Sequence, residues 1–505
     1  LWITSARPYV NLNDRLRSSI SWLACSKVVV QGISLLSTLT VARLLTPDNY
    51  GVMALSAFWT SSLLVVSELG AGAAVIQFQN LKKQELNILF GFTTSLSLLG
   101  YLALFLLAPF IGDWFASEQL SSVLRVAGMA LPIATLRVVP EGLLRKELRF
   151  DLIAKTNIMS SSLSIPVALM CAFSGAGVWA LVASSLVGAL AQTLLIFHYE
   201  QWRPSTAMKS ERWDRLMRFC LQSFGGRICW AVYQQLDVLV LGKFEGAVSV
   251  GIYTMALQII TFPVEKVFSI VNEIAYPAMA HLQDDVAQLR SSFAQNLRIL
   301  TAVACPLYIG LAFVAEDLIQ IILTDKWSDS AGVLKLLAPY GLFTALAVLP
   351  APILLSRYRA DLVFRYTFAQ LLIMPLAFWI GARQAGAIGV AMAWVVVYPF
   401  SLSWLFIQVF REVQITWYEA WVVVKPAMSA AACMGAALMA LKIGLAHGGV
   451  DQAAVTLGIT VVTGAVTYVC GLWVYGRDLL IEMLAMSTSL VRRNAPAKEK
   501  LPARD

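Results

Sequence analysis

Two cationic side chains lie well inside long apolar segments, where a charge is costly. Lys27 lies in the apolar run 18–45, and Arg227 lies in the run 219–243. An ionised group at the centre of a membrane-spanning helix costs about 2.5–3.5 kcal/mol, so each cation needs a polar interior, a partner or a function. We predict that both face a water-filled cavity and attract an anion. The structural alternative is that Lys27 only extends its long side chain to the inner surface.

Polar residues continue from each cation along one face of a helix. Gln31 lies one turn after Lys27, and Gln234 and Asp237 follow Arg227 within an arc of about 80° on a helical wheel. We predict that Lys27, Gln31, Arg227 and Gln234 bind substrate. Asp237 is predicted to be a charge partner or a carrier of a coupled ion.

A third polar face lies in the run 248–275. Lys266 is predicted to bind substrate, and Glu265 and Glu273 are predicted to be charge partners or coupling groups. Glu68, which we place near the outer end of the second apolar segment, is the corresponding acid of the first half. The alternative is again structural, because Lys266 and Glu273 are seven residues apart and could form a buried pair that only holds helices together.

The elements that position these residues are apolar segments long enough to cross a membrane. Of the 505 residues, 58% are hydrophobic and only 13% are charged, and the mean hydropathy is +0.71. Soluble domains have about twice this share of charge, so a soluble enzyme and a disulfide-rich scaffold are excluded. One span needs about 20 apolar residues. The sequence therefore predicts an all-α polytopic membrane protein with about fourteen spans, near 18–45, 51–69, 86–112, 121–142, 155–175, 177–198, 219–243, 248–275, 296–323, 331–356, 362–381, 385–410, 420–446 and 453–475.

The basic residues indicate how these segments are oriented. With the N-terminus in the cytoplasm, the inner connections and the termini contain 28 of the 38 Lys and Arg, and the outer connections contain seven. The positive-inside rule then predicts that both termini are cytoplasmic. This topology explains the net charge of +8, so we expect no nucleic-acid partner. Arg145, Lys146 and Arg149 follow the fourth span and are predicted to attract an anionic headgroup, although ordinary positive-inside charge also explains them.

The chain also contains an internal repeat of six spans. The offset between the copies increases slowly along the chain, through the pairs Arg43/Lys243, Gly51/Gly251, Pro140/Pro350 and Gly177/Gly389. Because six is even, both copies have the same orientation, and a two-fold axis along the membrane normal is expected. We predict a first half at 1–200, a second half at 201–411, two extra spans at 412–476 and a cytoplasmic tail at 477–505.

Catalytic and cofactor motifs are absent from the sequence. It contains no G-x-x-x-x-G-K-[ST] loop, no H-E-x-x-H and no G-x-S-x-G, and its three histidines are scattered. We therefore predict a protein that is not an enzyme and that has no cofactor or metal site. Coupling to a proton or to sodium stays open.

Several short motifs occur in an order that is familiar from one family. The chain resembles the polysaccharide exporters, or oligosaccharide-lipid flippases (Wzx-type), of the multidrug/oligosaccharidyl-lipid/polysaccharide flippase superfamily, and is most similar to the colanic-acid-exporter type. The resemblance covers roughly residues 18–475. It depends on the stretches 42–45 with Tyr50-Gly51, 145–150, 277–293, Lys326-Trp327 and 385–390.

The resemblance implies a transport function in the bacterial inner membrane. Such proteins are expected to move an undecaprenyl-diphosphate-linked oligosaccharide from the cytoplasmic to the periplasmic leaflet by alternating access, for exopolysaccharide, capsule or lipopolysaccharide synthesis. A polysaccharide polymerase and a co-polymerase are the implied protein partners, and membrane lipid surrounds the chain. The predicted cation pair agrees with this function, because a diphosphate is an anion.

Two other classes of protein stay open at this point. One is a drug or ion antiporter of the same superfamily, in which twelve spans are common. The other is an integral-membrane polysaccharide polymerase or ligase. Such enzymes usually carry a large outer loop with catalytic residues, and the predicted connections here are short.

The topology can be tested by labelling. In a cysteine-free variant, we expect Lys209→Cys to react with a membrane-permeant thiol reagent but not with an impermeant one added outside, because the loop 199–218 is predicted to be cytoplasmic. A cysteine at position 326, in a predicted outer connection, is the control and should react with both. Labelling of position 209 from outside would contradict the topology.

Overall fold

The computed structural model describes residues 37–205, 213–264, 285–447 and 452–483. All regular structure in these residues is helical, as predicted. Lys27, Gln31, Glu265, Lys266 and Glu273 lie outside the described residues, and their predicted roles stay predictions.

Many of the helices are too short to be complete spans. The first eleven are α1 (37–44), α2 (Pro47–Glu68), α3 (Ala71–Gln77), α4 (Lys83–Trp114), α5 (Glu118–Ala127), α6 (Ala130–Leu136), α7 (Val138–Lys146), α8 (Phe150–Phe173), α9 (Val178–Tyr199), α10 (Trp213–Tyr233) and α11 (Leu236–Pro263). The others are α12 (Val286–Ile322), α13 (Ser328–Leu346), α14 (Pro350–Ser356), α15 (Ala360–Val413), α16 (Trp417–His447) and α17 (Ala453–Tyr475). The predicted fourth segment is thus three consecutive helices, α5 to α7, and the predicted tenth is divided between α13 and α14.

Eleven segments of the described chain are long and apolar enough to cross a membrane. Two of them, Trp213–Pro263 and Ala360–Val413, have 51 and 54 residues, about twice what one span needs. The multi-pass helical fold is therefore confirmed. The count of fourteen stays a prediction, because most of the first predicted segment lies outside the described residues.

Helix α15 is in fact a hairpin of two antiparallel limbs. Its backbone leaves the helical conformation at Ala385 and Gly386. The Gln370 amide donates to the Ser401 hydroxyl at 2.7 Å, and the Phe378 and Trp394 rings lie 5.0 Å apart. These residues would be tens of ångströms apart in one straight helix, because each residue adds about 1.5 Å. The predicted spans 362–381 and 385–410 therefore exist as separate limbs.

The same construction occurs at α11, where Gly246 is not helical. The Tyr253 hydroxyl lies 2.5 Å from the Asp237 carboxylate, although sixteen residues separate the two in sequence. A second interruption at residues 234–235 separates α10 from α11. The chain from 213 to 263 therefore has two limbs, and the first limb is itself broken before Asp237.

The backbones of α2 and α11 approach each other without side chains between them. A Cβ atom on Gly51 would lie 1.7 Å from the Ala247 carbonyl oxygen, and one on Gly251 would lie 1.8 Å from the Pro47 carbonyl oxygen. The two contacts are equivalent: positions 51 and 251 are 200 residues apart, and so are positions 47 and 247. Reciprocal contacts of this kind are what a two-fold axis between two equivalent helices produces.

Local backbone geometry follows the repeat as well. Leu148 and Tyr358, which are 210 residues apart, both have positive φ, of 57° and 60°. Gly177 has φ 59° and ψ −132°, and its structural counterpart is Gly386, with φ 53° and ψ −130°. The predicted pairing of Gly177 with Gly389 is therefore wrong by three residues: Gly389 lies within the second limb of α15, where its close contact is with Gly381.

The described chain packs as two compact units that do not follow the order of the sequence. One contains the described residues up to 264 together with 322–337 and 361–401, and the other contains 285–321, 338–360 and 402–483. The first unit has an apolar core beneath α3, α4, α7 and α10, and the second has one between α12, α16 and α17. The predicted domain boundaries at 200, 411 and 476 stay predictions.

The glycine contact between α2 and α11 predicts a clear stability difference. We expect Gly51→Ala to destabilise the protein by about 1–3 kcal/mol, because the added methyl group forces two backbones apart. Gly458→Ala is the matched control, since nothing lies within 4 Å of its Cβ position. In a helix this change should be neutral or stabilising by up to about 1 kcal/mol. Thermal unfolding of the two purified variants in detergent measures the difference, and equal unfolding temperatures would contradict the prediction.

Candidate functional site

The candidate site lies in the first unit, where α10 ends before α11 begins. Helix α10 stops at Tyr233, Gln234 and Gln235 form a turn, and α11 starts at Leu236. A break inside a membrane-spanning segment frees backbone groups that need polar partners or water, so such breaks occur where a cavity or a binding site is present. Two predicted charges lie on either side of this break, Arg227 on α10 and Asp237 on α11.

Arg227 forms an ion pair with Glu68 on α2. The guanidinium Nη2 lies 2.8 Å from the carboxylate Oε2. Seven residues earlier on α2, the Ser61 hydroxyl accepts a hydrogen bond of 2.8 Å from the Gln235 amide. The two contacts connect antiparallel helices. Glu68 is therefore the charge partner of Arg227, a pairing that the sequence analysis did not specify.

The pair also corrects the predicted depth of Glu68. Glu68 is the last residue of α2, and Arg227 lies in the half of its span that the topology puts towards the cytoplasm. Because the two side chains touch, they lie at a similar depth, and under the predicted topology this depth is in the cytoplasmic half of the membrane, which disagrees with the placement of Glu68 near the outer end. The reason is simple: an even-numbered span runs from outside to inside, and its last residue is at the inner end.

The face of α10 that contains Arg227 is accessible. The Arg227 side chain is 45% exposed, Trp230 is 48% exposed, and Gln234 is exposed. Glu68 is less accessible, with 23% of its side chain exposed. The pair thus leaves part of the guanidinium open, and Arg227 can bind a second anion beside the carboxylate of Glu68.

Asp237 does not share this face. It is fully buried, with 0% exposure. Its Oδ2 accepts hydrogen bonds from the Tyr253 hydroxyl at 2.5 Å and from the Trp394 indole at 3.3 Å, and its Oδ1 accepts one from the Val238 amide at 2.8 Å. The prediction that Asp237 lies on the same helix face as Arg227 is wrong, because the break after Tyr233 turns Asp237 away from that face.

The donors around Asp237 are neutral groups. Within the described chain, no Lys or Arg forms an ion pair with this carboxylate, and its partners are a phenol, an indole and a backbone amide. The indole N–H of Trp394 lies closer to the Tyr253 hydroxyl, at 2.8 Å, than to the carboxylate. The Tyr233, Phe378 and Tyr398 rings surround Trp394, so the network lies in an aromatic environment. A carboxyl group held only by neutral donors can exist with or without a proton, which a salt-bridged carboxylate does less easily.

Tyr253 and Trp394 were not predicted from the sequence. Both occur in apolar segments rich in aromatic residues, where a ring is normally an element of the core or an interface anchor. The available signal was Asp237 itself, since a buried acid requires donors. Which residues supply them depends on the two hairpins, at Gly246 and Gly386, which local periodicity does not predict.

The three cations predicted to attract a headgroup have protein partners. Arg145 binds Glu141 at 2.6 Å, Arg149 lies 3.7 Å from Glu147, and Lys146 donates to the Phe78 and Gln79 carbonyl oxygens at 2.6 and 2.8 Å. Lys146 therefore binds the carbonyl groups at the C-terminal end of α3, which favours a structural role for it. A role in headgroup attraction stays a prediction for all three.

No group of three or more His, Cys, Asp or Glu side chains suited to hold a metal ion occurs among the described residues.

The amino-acid sequence is similar to those of several known proteins. Residues 40–332 match the model of the polysaccharide biosynthesis protein family. The chain belongs to this family. It is 24% identical to the teichuronic acid biosynthesis protein TuaB of Bacillus subtilis, over 91% of this chain and 95% of TuaB. It is 25% identical to the lipopolysaccharide biosynthesis protein WzxC of Escherichia coli, over 77% and 79% of the two chains. It is 24% identical to the succinoglycan biosynthesis transport protein ExoT of Rhizobium meliloti, over 97% and 99%.

The fold is also similar to those of solved transporters. The lipid II flippase MurJ in an inward closed conformation gives a TM-score of 0.72 at 11% identity, covering 92% of this chain and 99% of MurJ. An inward-facing multidrug resistance transporter of the MATE family gives 0.61 at 13% identity, covering 77% and 99%. At such identities the likeness shows a shared fold alone, and membership of the polysaccharide biosynthesis protein family rests on the sequence match.

The buried network predicts how Asp237 variants fold. Asp237→Asn should destabilise the protein less than Asp237→Ala, because its amide oxygen can keep the hydrogen bond from the Val238 amide while its amide nitrogen faces the Tyr253 hydroxyl, which can also accept. Asp237→Ala should destabilise the protein by about 1–3 kcal/mol, since it leaves buried donors without an acceptor. Thermal unfolding of the purified variants measures both. Equal losses in the two variants would show that the hydrogen bonds of Asp237 do not stabilise the fold.

Proposed function

We propose that this protein is a flippase that moves a polyprenyl-diphosphate-linked oligosaccharide from the cytoplasmic to the periplasmic leaflet of a bacterial inner membrane. The observation that carries the proposal is the likeness over nearly the whole chain, to relatives named for polysaccharide biosynthesis and transport and to the fold of a lipid II flippase. Both termini would be cytoplasmic, as the distribution of basic residues predicts.

The accessible part of Arg227 supports an anionic substrate. An exposed guanidinium within a membrane-spanning segment would be costly against lipid, so a water-filled cavity is the environment that fits its 45% exposure. An arginine binds phosphate oxygens two at a time, which suits a diphosphate. Lys27, which the repeat pairs with Arg227, would supply a second cation, and Gln31, Gln234 and Lys266 would complete the proposed site.

Asp237 supports coupling to a proton. Its carboxyl group is buried among neutral donors, so gain or loss of a proton changes the charge of the interior by one unit, and no ion pair among the described residues compensates for it. An alternating-access cycle can use such a change, because the protonated and ionised forms favour different packings of the same helices. Sodium is the other coupling ion that the sequence left open.

The proposal treats the chain as a carrier and not as an enzyme. The oligosaccharide-lipid would leave chemically unchanged, and polymerisation would take place on separate proteins, a polymerase and its co-polymerase. No cofactor is needed for this role.

Reconstitution tests the function directly. Proteoliposomes that contain the purified chain should make a fluorescent polyprenyl-diphosphate-linked oligosaccharide accessible in the opposite leaflet, at a rate well above that of protein-free vesicles. A cationic dye is the alternative cargo, which a drug antiporter would move. Transport of the dye without movement of the lipid-linked sugar would contradict the proposal.

The role of Arg227 can be separated from that of its ion pair. Arg227→Ala removes the cation and leaves Glu68 without its partner, which costs about 3–5 kcal/mol if the pair is fully buried and less at the observed exposure. Arg227→Ala/Glu68→Ala removes both charges. If Arg227 receives the diphosphate, the double variant should accumulate in the membrane but produce no polymer. Arg227→Lys should keep partial output, because it retains the charge.

The measurement is surface polysaccharide per amount of membrane protein, in a strain that lacks the native gene. Lys27→Ala and Lys27→Arg provide the equivalent pair for the first half. Normal output from the Arg227→Ala/Glu68→Ala variant would mean that the ion pair only connects α2 and α10.

A further inference from the structure

A cleft of about 380 Å³ opens beside the N-terminal part of α10, and neither Arg227 nor Glu68 is among its lining residues. It is lined by Gln77, Phe78, Arg215, Arg218, Phe219 and Gln222. Its size is within the range of ordinary small-molecule sites. All of its polar side chains are hydrogen-bond donors or cations, and no carboxylate is among its lining residues.

The cleft has a firm base. Cys220 on α10 is 2% exposed and packs into the apolar cluster formed by α3, α4 and α7. Gly70, at the start of α3, lies so close to α10 that a Cβ atom there would be 3.0 Å from the Cys220 carbonyl oxygen. The Phe78 and Phe219 rings meet edge to face at 5.4 Å and form one wall. The two helices that carry the cleft are thus held together below it.

Neither arginine has a carboxylate partner among the residues that the structure describes. Within the part of the chain that the structure describes, neither Arg215 nor Arg218 forms an ion pair, whereas Arg145 and Arg149 each lie beside a glutamate. The Arg215 guanidinium lies 5.8 Å from the centre of the Phe78 ring, a distance at which a cation and an aromatic face attract each other. Both arginine side chains are exposed, so their donors are available to a ligand.

The cleft lies at the level where lipid headgroups are expected. Helix α10 begins at Trp213, whose ring packs edge-on against Phe92 at 5.3 Å. A tryptophan at the end of a spanning segment marks the membrane interface. Arg215 and Arg218 are within the next two turns of the same helix.

We propose that this cleft binds the phosphate group of a membrane lipid, with Arg215 and Arg218 on the phosphate oxygens and the Gln77 and Gln222 amides as additional donors. Two planar guanidinium groups can bind a phosphate with paired hydrogen bonds, and the aromatic wall fits the apolar part of the molecule next to the phosphate. The site is separate from the proposed cavity at Arg227. One of the candidate lipids is the diphosphate-linked substrate before it enters the cavity. Only this assignment rests on the proposed function.

Two lipids can supply this chemistry, and direct binding distinguishes them. The full chain, purified in detergent, is titrated with undecaprenyl diphosphate and with phosphatidylglycerol, and bound lipid is counted by native mass spectrometry. Undecaprenol and diacylglycerol are the matched lipids without phosphate. Tighter binding of undecaprenyl diphosphate would identify a substrate site, and equal binding of the two phosphate lipids would identify a bulk-lipid site.

The variants are Arg215→Gln/Arg218→Gln and, as a control with the same loss of charge in the same unit, Lys155→Gln/Arg365→Gln. We expect the first to bind phosphate lipids about tenfold more weakly and the control to bind them as the native chain does. Arg215→Lys/Arg218→Lys should lie between the two, because it keeps the charge but loses the paired geometry. Lipids without phosphate should bind all variants alike.

The inference is overturned if Arg215→Gln/Arg218→Gln binds phosphate lipids as tightly as the native chain, or if the control loses as much. The unfolding temperature of each variant is measured beside its affinity, and the lysine variant gives the same comparison should the glutamine variant be unstable. Lipid binding is measured without transport. A failure of the proteoliposome assay would therefore contradict the proposed function but would not affect the conclusion about lipid binding.

Discussion

The direct contact between the backbones of α2 and α11 is the constraint on which the geometry of the first unit depends. With glycine at positions 51 and 251, two carbonyl oxygens occupy the space of the missing side chains. In a membrane, helices do not associate through the hydrophobic effect, and close approach at small residues provides the van der Waals contact that replaces it. This contact fixes the second limb of α11 against α2, and with it the position of Tyr253, which holds Asp237.

Breaks in the helices then decide which polar groups are exposed and which are buried. The interruption at residues 234–235 leaves Arg227 on an accessible face and turns Asp237 into the interior. The hairpins at Gly246 and Gly386 return the chain on itself, so that Tyr253 and Trp394 reach the same carboxylate. One short stretch of chain thus places an accessible cation and a buried acid in different environments, which a continuous helix could not do.

Composition and periodicity were sufficient to predict the fold class and the positions of most spans, because these depend on properties summed over many residues. Individual side chains were predicted less well. The wheel that joined Asp237 to Arg227 assumed an unbroken helix, and the outer placement of Glu68 ignored the direction of its span. Gly177 was paired with Gly389 by residue type, while backbone conformation pairs it with Gly386. For Asp237 and Gly177 the missing information was where the helices break, which depends on contacts between distant segments. The direction of the second span, by contrast, follows from the predicted topology.

The hydrogen bond from the Trp394 indole to Asp237 has a practical consequence. The indole N–H lies 3.3 Å from the Asp237 carboxylate and 2.8 Å from the Tyr253 hydroxyl, which itself donates to Asp237, so the ring experiences a different electric field when this carboxyl group is ionised and when it is neutral. Incorporation of fluorotryptophan would give each of the 15 tryptophans its own ¹⁹F resonance, and the Trp394 signal would follow the state of Asp237 in the working protein. The protein therefore contains a built-in spectroscopic probe at the residue where coupling is proposed.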